Sequence, residues 1–375
     1  MADVICTHTG LEDTSAALAE LGPKLDGIGE AVAVFFFCSS NHDGVAIWSG
    51  LRALAPNAAI IGATTAGEFS HEGYSQGGVS VMALGSSKVK RCAAVLATYD
   101  SGETVEAALH TASRALSTKL SVDLREIDPA NWVGILLNGG LFGNEEEVSE
   151  VLGHIAPFLS FVGGSAGDNL KVVETKVFCD GRSSSNGSAL LLMELAVPYH
   201  ILKTCSFEAT DKKLRFDKVD GRIVHQIDGK VAVQGYADAV GVKVEDLGHP
   251  VFMANPVGVI IEGQPWVRSP AQVFPDGSMR FGAKIHEGAS LNLLKATDLV
   301  GDTASAMDNG AKELGRPPSA ALLFNCAHRC VEIQMKQLEG PFRGTIANFP
   351  VAGFHSYGES WLAYVNQTLI ALLLG

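Results

Sequence analysis

Hydroxyl, imidazole and carboxylate side chains recur around closely spaced glycines at three places in the chain. We name these stretches the first, second and third glycine segments: residues 60–68 (Ile-Ile-Gly-Ala-Thr-Thr-Ala-Gly-Glu), 161–168 (Phe-Val-Gly-Gly-Ser-Ala-Gly-Asp) and 351–359 (Val-Ala-Gly-Phe-His-Ser-Tyr-Gly-Glu). Glycine permits tight turns and a close approach of the backbone to a neighbour. Exposed backbone N–H groups and hydroxyls there would bind a polar ligand. A tight turn without a ligand explains the same glycines, so both interpretations stand.

A second set of apolar runs ends in polar residues: Ala33–Cys38, Trp132–Asn138 and Ala321–Asn325. Ligands of parallel sheets bind at the carboxyl ends of strands. The glycine segments and the polar ends of these strands together predict one ligand site. Its predicted residues are Thr64, Thr65, Gly67, Glu68, Asn138, Ser165, Asn325, Arg329, His355, Tyr357 and Glu359. For the asparagines and Arg329 the alternative is an Asx turn and a surface ion pair.

Two patterns raise other kinds of chemistry. Gly163-Gly164-Ser165-Ala166-Gly167 matches the Gly-x-Ser-x-Gly elbow of serine hydrolases, but no acid and histidine follow it in hydrolase order. A hydrolase or lyase using Ser165, Asn325, Arg329 and Glu359 is therefore the alternative to a non-catalytic site. Cys326-Ala-His328-Arg-Cys330 lacks the second ligand pair that a structural zinc site needs.

The elements around the glycine segments follow one order, β-α-β-α-β-β, three times. Apolar strands that alternate with amphipathic helices predict an α/β fold with mixed, largely parallel sheets covered on both faces. The predicted repeat units are 1–86, 87–195 and 280–375, the last opening with a strand at Arg280–Ile285. Residues 196–279 instead show alternation and turn signals, which predict an inserted α+β module.

Composition excludes some partners. A net charge of −13 disfavours nucleic acids and anionic membranes, which bind basic patches. No apolar run reaches the ~18 residues that span a bilayer. The odd number of cysteines, seven, and the absence of a secretory leader predict a cytoplasmic protein with reduced thiols.

Four stretches, in order along the chain, resemble the FIST family of bacterial sensory domains: 61–74, 162–168, 255–278 and 353–369. The resemblance implies a FIST N-like domain over 1–195 and a FIST C-like domain over 196–375. It also implies a sensor without catalytic activity that binds a small molecule. Such a sensor would report to a separate histidine kinase, diguanylate cyclase or phosphodiesterase.

One branch of the family is described as haem-containing nitric oxide sensors, and two stretches resemble it: 37–43 and 357–368. In that branch a histidine commonly precedes Val-Asn-Gln-Thr, where this chain has Tyr364. If haem is bound, His42, His328, His355 and Tyr364 are the candidate ligands. Because Tyr364 stands in place of that histidine, we favour a polar, amino-acid-like ligand over haem. We do not assign a cofactor from the sequence.

Overall fold

The computed structural model describes residues 3–99 and 102–375. The chain is divided into two compact units. The first runs to Lys203 and resumes over Ala304–Tyr364 and Leu369–Gly375, and the second comprises Thr204–Thr303 and Val365–Thr368.

The N-terminal part alternates strands with two capped helices. Asp13 and Asp43 each accept hydrogen bonds from the first-turn amides of the helix that follows. The elements are β1 (Val4–Thr9), α1 (Thr14–Lys24), β2 (Ala33–Ser39), α2 (Gly44–Leu54), β3 (Ala59–Thr65), β4 (Glu68–Ser70), β5 (Tyr74–Ser75) and β6 (Val79–Leu84).

The next part has the same order of elements. They are β7 (Val89–Thr98), α3 (Val105–Leu120), β8 (Trp132–Asn138), α4 (Glu145–Ile155), β9 (Phe161–Ser165), β10 (Val177–Cys179), β11 (Arg182–Ser184) and β12 (Gly187–Leu195).

The rest of the chain supplies strands to both units. Its first elements are β13 (Tyr199–Cys205), β14 (Phe207–Asp220), β15 (Ile223–Ile227), β16 (Lys230–Val231), α5 (Ala232–Val240), α6 (His249–Ala254), β17 (Val257–Ile261), β18 (Gln264–Arg268), β19 (Pro270–Val273), β20 (Met279–Phe281) and β21 (Ser290–Ala296). They are followed by α7 (Leu299–Leu314), β22 (Ala320–Cys326), α8 (Ala327–Met335), α9 (Glu339–Ile346), β23 (Val351–Ser356), β24 (Glu359–Trp361), β25 (Ala363–Val365) and β26 (Thr368–Leu374).

The described residues form three six-stranded sheets with matching strand orders: β1-β6-β2-β3-β10-β11, β7-β12-β8-β9-β24-β25 and β13-β26-β22-β23-β4-β5. In each, the central pair is parallel and the pairs on either side of it are antiparallel. The α/β class with mixed sheets is confirmed. The prediction of largely parallel pairing is wrong, because a late strand (β6, β12 or β26) inserts beside the central pair and runs antiparallel to it.

Each sheet also receives a strand pair that follows a glycine segment belonging to another sheet. The pair β4–β5 follows the first glycine segment and joins the third sheet, β10–β11 joins the first, and β24–β25 joins the second. The three glycine segments are therefore the places where the chain crosses from one sheet to another.

The prediction of a strand over Arg280–Ile285 in the third repeat unit is wrong. Only Met279–Phe281 is extended, as β20, and it pairs with β15 and β19 in the second unit. The outer strand of the third sheet is β13, Tyr199–Cys205. Since β13 contains both buried and half-buried residues, unlike the fully buried central strands, its pattern resembled the hairpins of the predicted insertion.

Apolar residues fill both faces of the central strands, as predicted. Every residue of β2, β8, β22 and β26 is buried. Helices α1 and α2 cover one face of the first sheet, and α3 and α4 cover one face of the second. Inside the first unit, Phe37 of the first sheet contacts Phe324 and Phe354 of the third, with ring centroids 6.3 and 4.7 Å away.

The second unit contains an eight-stranded sheet of order β18-β17-β21-β14-β15-β20-β19, with β16 paired to β15. The helices α5 and α6 pack on it through Tyr236 and Phe252. Across the described part of the chain, every helix is too short or too polar to span a bilayer.

Candidate functional site

The three glycine segments are joined to one another in a ring of backbone hydrogen bonds. Between the first and third, Ala66 N donates to His355 O and His355 N donates to Gly67 O, both at 2.8 Å. Between the first and second, Gly167 N donates to Thr64 O at 2.8 Å. Between the second and third, Ser165 N donates to Gly358 O at 2.8 Å. We call this ring, together with the side chains of the three glycine segments, the glycine hub.

Close backbone approach explains the glycine at position 167. A Cβ there would lie 2.6 Å from Ala66 N and 2.8 Å from Thr65 C. Both are backbone atoms held in place by the first sheet, so they cannot move aside cheaply. The second glycine segment can contact the first only without a side chain at this position.

Glu68, at the end of the first glycine segment, is fully buried. Its carboxylate accepts hydrogen bonds from Thr65 Oγ1, from Ser75 Oγ at 3.0 Å and from Gly78 N at 3.0 Å. Burial raises the pKa of Glu68 to about 7, and these hydrogen bonds oppose the rise only in part. The group therefore changes charge within the physiological pH range.

Asp168, at the matching place in the second glycine segment, has the opposite shift. Burial acts to raise its pKa, but a hydrogen bond from the Tyr357 hydroxyl and others from three backbone amides hold the pKa below its usual value. The three amides belong to Val172, Val173 and Glu174, at 2.9, 2.6 and 3.0 Å. Asp168 thus fixes the loop that leads from the second glycine segment to β10.

Asp168→Ala should therefore lower the free energy of unfolding by about 3 kcal/mol, because the charge-assisted hydrogen bonds from three backbone amides and from the Tyr357 hydroxyl are lost together. Asp168→Asn keeps one acceptor oxygen and should cost less. Since the folded pKa is depressed, the stabilisation by Asp168 is present above its unfolded pKa and is lost as the pH falls through the folded one. Urea unfolding at pH 7 and pH 3 measures both effects, and equal losses in the two variants would contradict this role.

The third glycine segment ends in a buried carboxylate too. Glu359 is fully buried and accepts a hydrogen bond from Ser356 Oγ at 2.7 Å. Ser165 is also fully buried, and its hydroxyl contacts Glu145 Oε1 at 3.5 Å. The Ser165 hydroxyl thus contacts a carboxylate rather than the imidazole that activates a serine nucleophile, which disfavours the hydrolase alternative.

A buried guanidinium, amide and imidazole form a chain beside the hub. Arg329 Nε donates to Asn325 Oδ1 at 2.8 Å, and Asn325 Nδ2 lies 2.8 Å from His355 Nδ1. The amide nitrogen is a donor, so His355 Nδ1 accepts and the ring carries its proton on Nε2. Burial and the Arg329 charge lower the pKa of His355 to about 3, which keeps the ring neutral.

Asn138 lies at the end of β8, beside the second glycine segment. Its Oδ1 accepts from Ser188 Oγ at 2.6 Å, and its backbone oxygen accepts from Ala166 N at 2.8 Å. Its amide nitrogen Nδ2 is buried and has no hydrogen-bond partner among the described residues. The same holds for Ser184 Oγ and Asn186 Oδ1, which flank the start of β12 where Gly139 N donates to Gly187 O.

The structure brings most of the predicted ligand residues together, but as a buried network. Thr65, Gly67, Glu68, Asn325, Arg329 and His355 surround the contact of the first and third glycine segments. Thr64 differs, since its hydroxyl accepts from Lys176 N beside β10. Sequence reasoning left out Asp168 and Glu145. For Asp168 the signal was present, because it occupies the place of Glu68 and Glu359 in its own segment.

Three of the four candidate haem ligands, His42, His355 and Tyr364, do not fit haem in this arrangement. His42 has Nε2 2.9 Å from Gly77 O and Nδ1 3.2 Å from Thr14 Oγ1. His355 uses Nδ1 on Asn325, and its ring packs between Phe69 and Tyr74, with centroids 5.1 and 5.6 Å away.

The Tyr364 hydroxyl donates to Tyr357 O at 3.1 Å and packs so tightly on Gly358 that a Cβ there would lie 2.0 Å from it. His328 is half buried in the first turn of α8. An axial ligand must offer a free ring nitrogen or oxygen to the iron and space for the macrocycle. The ring nitrogens of His42 and the hydroxyl of Tyr364 are engaged in hydrogen bonds, and the buried His355 ring, packed against Phe69 and Tyr74, leaves no space for the macrocycle. In the described ranges, no group of three or more His, Cys, Asp or Glu side chains is arranged to hold a metal ion.

Comparison with known proteins identifies the family. The FIST N domain matches residues 32–230 and the FIST C domain matches residues 232–361. The chain belongs to the FIST family. FIST domains are sensory domains of signal transduction. The chain is also similar to an uncharacterized protein of Methanocaldococcus jannaschii, with 22% identity over 330 residues, which cover 81% of this chain and 62% of that protein.

Proposed function

We propose that this FIST protein is a non-catalytic cytoplasmic sensor in which a small polar ligand binds beside the glycine hub. A second protein, a histidine kinase, diguanylate cyclase or phosphodiesterase, receives the signal. Family membership supports the sensory role. The contacts of the hub support the location of the site and the polar character of the ligand.

The main support for the proposal is the buried side-chain amide of Asn138, whose nitrogen lacks a hydrogen-bond acceptor among the described residues. Its side chain is 1% exposed, and Nδ2 lacks a partner within the described residues. A buried amide donor without an acceptor costs about 1–3 kcal/mol. A bound acceptor would recover that cost. Ser184 Oγ and Asn186 Oδ1, around the same strand end, add a hydroxyl and an acceptor. A ligand with donor and acceptor groups close together, as in an amino acid, matches this set.

The crossing of the chain between sheets offers a route for the signal. The second glycine segment contacts Asn138 through Ala166 and contacts both other segments through Gly167 and Ser165. A ligand that shifts Asn138 would therefore act on the hydrogen bonds that hold the sheets at the hub. Such a shift changes the stability of the strand pairs that leave each glycine segment, which is the two-state element that a sensor needs.

We also propose that the first unit arose as a threefold repeat of a β-α-β-α-β-β element. The matching strand orders of the three sheets and the cyclic placement of the strand pairs support it. In this view β13 and α7 belong to the third copy, and the second unit was inserted between them.

The proposal is tested by thermal-shift measurements with the proteinogenic amino acids and short dicarboxylic acids. The wild type is compared with Asn138→Ala and with a surface control, Asn131→Ala. A ligand should raise the Tm of the wild type and the control, and the increase should be lost in Asn138→Ala. If no compound raises the Tm of the wild type, or if Asn138→Ala keeps the full increase, the proposed site is wrong.

Haemin belongs in the same panel. We expect its visible spectrum with the protein to show no sharp Soret band, because His42 and Tyr364 use their ligating atoms in hydrogen bonds and the His355 ring is enclosed by Phe69 and Tyr74. A sharp band that shifts with nitric oxide would overturn this and assign the protein to the haem-binding branch.

A further inference from the structure

A small, mostly apolar cavity lies on the face of the second sheet that α4 covers. It has a volume of about 120 Å³ and lies between α4, β9 and β24. Its apolar wall includes Leu136, Leu152, Leu159 and Phe161. None of its lining residues is charged. All of them belong to the first unit.

Two polar atoms of β24 have no partner beside this cavity. Ser360 and Trp361 both line it, and neither Ser360 Oγ nor Trp361 Nε1 has a hydrogen-bond partner within the described part of the chain. The Ser360 side chain is 2% exposed, and it pairs across the sheet with Gly163. Buried hydroxyl and indole N–H groups are normally bonded, so each such atom calls for an explanation.

The edge of the cavity is also unusual. Leu362, which lines it, is 70% exposed, and Phe158, between the lining residues Pro157 and Leu159, is 62% exposed. Leu362 has φ of 60°, a conformation that is strained for a leucine. An apolar rim leading to an apolar wall with a buried hydroxyl donor is the arrangement of a small-molecule pocket.

We propose that this cavity binds a small neutral molecule with an apolar body and one carbonyl oxygen, such as a cyclic ketone or lactone. The oxygen accepts a hydrogen bond from Ser360 Oγ. A cavity of ~150 Å³ holds benzene, which has six non-hydrogen atoms, so this one of about 120 Å³ holds roughly five or six. A carboxylate is excluded, since it would be buried without a counter-charge.

This pocket is separate from the site beside Asn138, yet it is coupled to the glycine hub by the chain. Ser360 directly follows Glu359, whose carboxylate binds Ser356 within the third glycine segment. In a strand, neighbouring side chains point to opposite faces of the sheet. Glu359 thus faces the hub, and Ser360 faces the cavity.

The test is a titration with cyclopentanone followed by the indole ¹H–¹⁵N NMR signals. The Trp361 signal is assigned by its loss in Trp361→Phe, and Trp48, Trp132 and Trp266 serve as internal controls. The matched probe is methylenecyclopentane, which has the same shape but no oxygen. We expect cyclopentanone to shift the Trp361 signal saturably and to bind about fivefold more tightly than the hydrocarbon, the effect of one net hydrogen bond.

Two variants sharpen the result. Ser360→Ala should weaken cyclopentanone about fivefold and leave the hydrocarbon unchanged. Gly153→Leu adds a side chain at the rim, where a Cβ meets nothing within 4 Å, and should block both probes. A shift that does not saturate, or equal binding of both probes, would overturn the proposal. The wild-type titration decides the matter even if a variant fails to fold.

Discussion

Replacing Gly167 by alanine should lower the free energy of unfolding by about 3 kcal/mol, at the upper end of the cost of overpacking. The added Cβ would lie 2.6 Å from the backbone nitrogen of Ala66. To avoid it, the second glycine segment must move away from the first, which breaks the hydrogen bond from Gly167 N to Thr64 O. The loss is measured by urea unfolding followed by circular dichroism.

The matched control is Gly153→Ala, in the helix α4. A Cβ at this position meets nothing within 4 Å. Alanine in a helix is favoured over glycine by about 1 kcal/mol, so this variant should be slightly more stable than the wild type. If both variants have wild-type stability, the close contact between the glycine segments is not a constraint on the fold.

Glu68→Gln should change how stability depends on pH. The pKa of Glu68 is raised from 4.5 to about 7 in the folded protein. The folded state is therefore favoured fully while the group is neutral, below its unfolded pKa. This stabilisation is lost as the pH rises through the folded pKa. A difference of about 2.5 pH units corresponds to roughly 3 kcal/mol. Glutamine mimics the protonated side chain, so the variant should keep its stability from pH 5 to pH 8.

The measurement is urea unfolding of the wild type and the variant at intervals across this range. The surface variant Glu126→Gln controls for the change in net charge. The wild-type curve should fall relative to that of Glu68→Gln between pH 5 and pH 7 and then run parallel to it. Parallel curves over the whole range would show that Glu68 is already ionised at pH 5 and that burial does not govern its charge.

The sequence contained enough information to locate the hub. Repeated glycines followed by Glu68, Asp168 or Glu359 indicated that three distant segments occupy equivalent places, and the apolar strands before them indicated the α/β class. Burial of whole strands such as Trp132–Asn138 follows directly from their continuous apolar character. These features depend on local pattern, which a single sequence displays.

The exchange of strand pairs between sheets could not be predicted in the same way. Whether β4 pairs with its own sheet or with β23 depends on contacts across more than two hundred residues, which leave no local pattern. The hydrogen-bonded state of the hub was hidden for the same reason. The sequence predicts that Asn325 and His355 are near each other, but not that Arg329 completes their chain. Strand β13 was misassigned because an outer strand buries only part of its surface.

The central claim is that a ligand acts on all three glycine segments together, and amide hydrogen exchange tests it most directly. The exchange of Ala66, Gly167 and Tyr357, one amide from each segment, is measured with and without the compound that raises the Tm most. The account predicts slower exchange at all three positions, because the hydrogen bonds of the hub form one ring. Slowing confined to one segment, or no compound that changes exchange in any of them, would contradict it.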